Sequence, residues 1–147
     1  MIRDRSMEKY LVMADGSYTD TAKLNDEEYL RLADHFLGYI YASSFELNVT
    51  GICYLKLIYD NAPERFDKLI IKSGHLMKRD EYPDMTLEML LFCNERSYKE
   101  YLMSAPDSNE VRDARDNLEY DINHYREEKW YKNMCAEYSE LIRKLEE

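Results

Sequence analysis

His35, His75 and His124 are the only imidazoles among the 147 residues of this chain, and none has the company that catalysis or metal binding requires. Asp34 directly precedes His35. Neighbours on a helix point about 100° apart, so the two cannot chelate one ion together. His124 has Asp121 three residues before it and Glu128 four after it. A carboxylate–imidazole pair can form there, although a histidine on a charged helix is more commonly a surface residue. There is no H-E-x-x-H, no Cys/His zinc spacing, no Walker loop and no G-x-G-x-x-G. Gly16, Gly38, Gly51 and Gly74 are too scattered to cradle a phosphate. The chain is expected to use no metal and no cofactor.

Cys53, Cys93 and Cys135 form no C-x-x-C pair, and an odd number cannot close completely within one chain. Cys53 and Cys93 lie in apolar runs and read as packing residues. Cys135 sits in Lys132-Asn-Met-Cys-Ala-Glu137 without an adjacent base, so no thiol has the setting of a nucleophile. Reduced thiols suit the cytoplasm, which is the expected location. The N-terminus has no apolar stretch behind its charges, and no run is long enough to span a bilayer, so neither signal peptide nor membrane helix is expected. The sequon Asn48-Val49-Thr50 is then expected to carry no glycan.

The carboxylates say more than the histidines. Thirty acids against 20 bases give a formal charge of −10. That disfavours direct contact with nucleic acid or an anionic membrane and makes a basic protein surface the natural counterpart. The excess lies in two places: residues 25–60 carry 6 acids and 2 bases, and residues 107–147 carry 12 and 7. Asp107, Glu110, Asp113, Asp116 and Glu119 recur at strict three-residue intervals. On an α-helix this makes a slowly winding stripe with a carboxylate every ~4.5 Å. A phosphate backbone has charges at a spacing of the same order. The stripe can therefore imitate nucleic acid on a basic groove, or be a solvated face with Arg112 and Arg115 paired within the helix. Fourteen tyrosines exceed what a core of this size needs, and interfaces enrich tyrosine. Tyr120, Tyr125, Trp130, Tyr131 and Tyr138 crowd the same acidic region.

These residues need elements to position them. An apolar fraction of 45% with only four Gly and three Pro indicates a single folded domain of long helices. The expected fold is mainly α, with a small N-terminal β-hairpin over 8–24 and a long acidic C-terminal helix or helix pair over 107–147. Asp15-Gly16 between two β-prone runs signals the hairpin turn. Asn25 with Glu28 makes a capping box for a helix running to about Ser43, with Tyr29, Ala33, Phe36, Leu37, Ile40 and Tyr41 on one face. Residues 47–60 are almost continuously apolar and can be strand or helix, a helical hairpin with the preceding helix being the better fit. Pro63 opens a further helix that Gly74 ends. Another is expected from Pro83 through Leu102, and a second capping box at Asp107 and Glu110 should open the last.

That last helix carries two apolar stripes. Val111, Ala114, Leu118, Ile122 and Tyr125 form one, and Tyr131, Met134, Tyr138, Leu141 and Leu145 form the other. They are out of phase, so the helix breaks near Arg126–Trp130 or its halves face different partners. If it is unbroken, the second row is an exposed apolar patch of the kind that marks an interface. The functional expectation is a small acidic protein-binding protein, not an enzyme. In concrete form it is an inhibitor occupying the basic nucleic-acid-binding surface of its partner, by analogy of charge and size with phage counter-defence proteins. Asp107, Glu110, Asp113, Asp116, Glu119, Tyr131, Tyr138 and Leu141 are the candidate contact residues. The alternatives are an enzyme with a diffuse carboxylate site, and a homo-oligomer that assembles through the second stripe.

Overall fold

A computed structural model describes residues 21–76 and 83–145. The expected hairpin turn at Asp15-Gly16 lies outside them. What can be described corrects the end of that hairpin: Thr21–Lys23 is a single 3₁₀ turn, not a strand. Polar bonds hold it there. Arg65 donates to the carbonyls of Thr21 (2.8 Å) and Leu24 (2.7 Å), and Asn61 Nδ2 donates to Thr21 Oγ1 (2.6 Å).

Eight helices follow, and no strand occurs among the described residues. Helix α1 spans Asp26–Ile40 and α2 spans Phe45–Asn61. The expected capping box forms: Glu28 N donates to Asn25 Oδ1 (2.8 Å) and Asn25 N donates to Glu28 Oε1 (2.9 Å). The six residues assigned to the apolar face of this helix are all buried. The ambiguous segment is helix α2, which pairs antiparallel with α1, since Asn48 meets Ile40 while Tyr54 stacks on Phe36 at 4.5 Å. Asn48 Nδ2 reaches the carbonyls of Tyr39, Ile40 and Ala42 at 3.0, 2.8 and 2.9 Å, closing the C-terminal end of α1 from its neighbour. Its amide is thereby occupied by the fold.

Between Gly51 and Tyr59 every residue of α2 but Lys56 is buried. A helix apolar on all sides belongs in the middle, and α2 is packed by α1 and by the helices at Pro63–Phe66, Pro83–Cys93 and Lys129–Leu145. Helix α3 begins with Pro63 in its first turn as Pro63–Phe66 and widens into a π-helix at Asp67–Lys72, before Gly74 turns the chain at φ 79°. Helices α4 (Pro83–Cys93) and α5 (Glu95–Ser104) replace the one continuous helix expected there. The break is at Asn94, extended at φ −167° and ψ 133°, whose side chain accepts from Arg96 N and so caps α5.

The C-terminal region is in three pieces. Helix α6 (Asn109–Asp116) bends at Asn117 into α7 (Leu118–His124). A 3₁₀ turn at Tyr125–Glu127 and an extended Glu128 then lead into α8 (Lys129–Leu145). The N-cap of α6 is Ser108, whose hydroxyl accepts from Val111 N at 3.1 Å, not Asp107. The expected break near Arg126–Trp130 thus falls at Tyr125–Glu128. It also resolves the two stripes, because the turn lets both halves face the same core. Val111, Ala114 and Tyr125 are buried from the first stripe and Met134 from the second.

Candidate functional site

The five carboxylates of the stripe are all exposed, on the loop before α6, on α6 and on the first turn of α7. Asp107 pairs with Arg112 (3.5 Å) and Arg115 (3.8 Å). Those two arginines are then committed. Arg115 donates Nε to the carbonyl of Leu102 at 2.7 Å and Nη2 to that of Ala105 at 3.2 Å, while Arg112 donates to Asn109. Glu110, Asp113, Asp116 and Glu119 make no ion pair among the described residues. The intrahelical neutralisation open to this sequence is therefore not adopted. The bend at Asn117 falls inside the stripe, dividing it between α6 and α7.

Tyr131, Tyr138 and Leu141 lie elsewhere, on α8, half-buried against the core, not in an exposed row. Tyr131 and Tyr138 both meet the ring of Phe92 edge-on, at 5.7 and 5.9 Å. Tyr138 Oη donates to Asp60 Oδ2 of α2 at 2.8 Å. Leu141 lines a groove of about 610 Å³ between α2 and α8, together with Phe45, Val49, Cys53, Glu137 and Lys144. Phe45 is 81% exposed at this groove.

A third feature was not assembled from the sequence. Where α7 turns into α8, a pocket of about 190 Å³ is walled by Tyr98, Tyr120 and Trp130 and holds the carboxylates of Glu88, Asp121 and Glu128. It opens directly after Glu119, the last acid of the stripe. Tyr120 and His124 stack at 4.2 Å, and His124 Nδ1 bonds to the carbonyl of Tyr120 at 2.8 Å instead of pairing with a carboxylate. No lysine or arginine lines the pocket. Burial, and then the Glu128 charge, raise the Asp121 carboxyl above its usual value. Burial, and then Asp121, push the Tyr98 phenol up to about 12. Trp130 and Asp121 are visible in the sequence as members of the aromatic, acidic C-terminal region. Tyr98 belongs to α5 and carries no local signal that would join it to them.

Two other polar groups are structural. Asp67, at the start of the π-helix and only 3% exposed, accepts from Ser97 Oγ at 2.6 Å and from the Arg96 guanidinium. His75 Nε2 meets Asp34 Oδ1 at 2.8 Å, tying the end of α3 to α1. Burial pushes the Cys53 thiol up to about 12 and raises that of Cys93 as well, the opposite of what a nucleophile needs. Among the described residues no group of three or more His, Cys, Asp or Glu can hold a metal ion, and no helix is long and apolar enough to cross a membrane.

The chain matches no family model, no curated protein and no solved structure with which it was compared.

Proposed function

We propose that this is a small acidic protein-binding protein, without enzymatic activity, that docks on a basic surface of its partner. Its concrete form is an inhibitor that covers a nucleic-acid-binding surface in the cytoplasm, as phage counter-defence proteins do. One observation carries the reading: Glu110, Asp113, Asp116 and Glu119 are exposed and make no ion pair among the described residues, while the arginines beside them are turned away to Asp107 and to the carbonyls of Leu102 and Ala105. The helix dipole favours Glu110 and Glu119, in the first turns of α6 and α7, but disfavours Asp116 at the end of α6, so helix stability does not account for the row as a whole. A row of this kind steers a positively charged partner and raises the association rate more than the affinity.

The test compares the wild type with Asp113→Lys combined with Asp116→Lys as bait in host extract, washed at rising salt. The expected result is a nucleic-acid-binding protein that is released by salt, is lost with the charge-reversed bait, and no longer binds nucleic acid when the wild type is added. Equal capture by both baits, or a captured protein whose nucleic-acid binding is unaffected, would overturn it.

Phe45, exposed at the α2–α8 groove beside Val49 and Leu141, favours a second reading, self-assembly through that face. Native mass measured over a range of concentrations separates the two, because an assembly through Phe45 should be lost in Phe45→Ser.

A further inference from the structure

We infer that the pocket at the α7–α8 turn is a receptor for one cationic side chain, a lysine or arginine presented by the basic partner. The inference rests on the proposed docking of a basic surface and names how that surface is anchored. Asp121 and Glu128 are close enough for one charge to raise the other's proton affinity, yet neither has an ion pair or a side-chain hydrogen bond among the described residues. Two carboxylates line one pocket with aromatic rings and no lysine or arginine, which leaves a place for a cation from outside.

The aromatic wall points to the same ligand. The negative face of an aromatic ring attracts an ammonium or guanidinium, most strongly for Trp and with larger effect where water is excluded. Trp130 and Tyr120 both line the pocket, one face of Tyr120 being stacked on His124. Tyr98 adds an independent sign. The residue is only 3% exposed, it lines the pocket, and its hydroxyl makes no hydrogen bond among the described residues. Its oxygen is left to the water of the pocket, where an incoming N–H donor can take that water's place. The pocket's volume of about 190 Å³ is enough for a single long side chain.

The position completes the picture. Glu119, the last acid of the stripe, and Tyr120 and Asp121 of the pocket belong to one helix, α7, within a single turn of each other along its axis. The long-range field brings the basic surface in, and the pocket fixes its register by desolvating one cation.

Trp130 is the chain's only tryptophan and so reports on the pocket alone. The full chain would be titrated with a short basic peptide rich in lysine, its arginine counterpart and its glutamine counterpart, following tryptophan fluorescence. A saturable change is expected with one or both cationic peptides and none with the glutamine peptide, and the stronger arm identifies the side chain. Asp121→Asn with Glu128→Gln, checked for unchanged helicity, should weaken that binding about tenfold or more. No change with either cationic peptide, an equal change with the glutamine peptide, or unweakened binding by the neutral variant would overturn the inference. Binding that Asp113→Lys with Asp116→Lys weakens while Trp130 stays silent would refute the pocket and leave the basic-partner reading standing. Binding insensitive to either set of substitutions would refute both.

Discussion

Gly51 of α2 lies against the backbone carbonyl of Phe36 in α1 so closely that a β-carbon at position 51 would stand 2.7 Å from that oxygen. It would also meet Ile40 Cγ1 and Tyr39 Cβ at 2.9 Å. The obstacle is main chain and cannot rotate away. Glycine here sets the distance between the two helices that form the centre of the core. Gly51→Ala should destabilise the protein by about 1–3 kcal/mol, although alanine is the better helix former. The urea midpoint reads this directly, and an unchanged or raised midpoint would mean that α1 and α2 are not so closely packed.

Asp67 and Ser97 are the polar counterpart of that contact. The carboxylate is held inside the fold by a hydroxyl from α5 and by the Arg96 guanidinium at the surface. Removing the hydroxyl leaves a buried acceptor with one partner fewer. Ser97→Ala is expected to cost about 1–3 kcal/mol. Asp67→Ala and Ser97→Ala together should cost less than the sum of the two, since the bond they share can be broken only once, while the Arg96 bond is lost with Asp67 alone. Full additivity in chemical denaturation would show that the pair does not interact in solution.

Local signals in the sequence carry over well to the fold, and signals between distant positions do not. The Asn25–Glu28 box and the apolar face of α1 are properties of one turn and one period, so both are legible. The nature of 47–60 follows only from its surroundings: α2 is helical because other helices cover it on every side, which a run of apolar residues does not reveal. The breaks at Asn94 and Asn117 are local but weak, each a single asparagine whose side chain bonds nearby backbone, Asn94 accepting from Arg96 N and Asn117 donating to the Asp113 carbonyl. The stripes on either side of residues 125–128 did indicate a change of direction. Their phase could not say that both would turn onto one core and leave no exposed row. Asp67 with Ser97, and Tyr98 with Asp121, are joined only by the tertiary fold. No periodicity connects them.

Tyr138 now bears on stability. Its hydroxyl is bonded to Asp60, its ring meets Phe92 edge-on, and Lys56 Nζ lies 5.4 Å from its centroid. Tyr138→Phe keeps the ring and loses the hydrogen bond, for an expected cost of about 0.5–1.5 kcal/mol. Tyr138→Ala should cost clearly more, on the order of 2–3 kcal/mol for a half-buried ring. Thermal unfolding of the two variants separates the contributions. A Tyr138→Ala protein as stable as the wild type would free this residue for a contact outside the domain.

The last prediction concerns Asp121, whose carboxyl is raised by burial and by Glu128. The native state then holds a proton on Asp121 more tightly than the unfolded chain does. Between the ordinary carboxylate range and the raised native value, the folded protein binds more protons, so stability falls as pH rises through that window. Above it the ionised Asp121 is a standing cost to the fold, and below both values the cost vanishes. Asp121→Asn cannot ionise and should therefore be somewhat more stable than the wild type at neutral pH, with the difference disappearing as pH drops through the carboxylate range. Urea unfolding of both proteins at neutral and acidic pH measures this, the wild type serving as reference for every other titrating group. A variant less stable at neutral pH would mean that the negative charge is favourably held within the fold, removing the need for a cation from outside. A gain at neutral pH that a saturating basic peptide reverses would show the same charge costing the free protein stability and holding its partner.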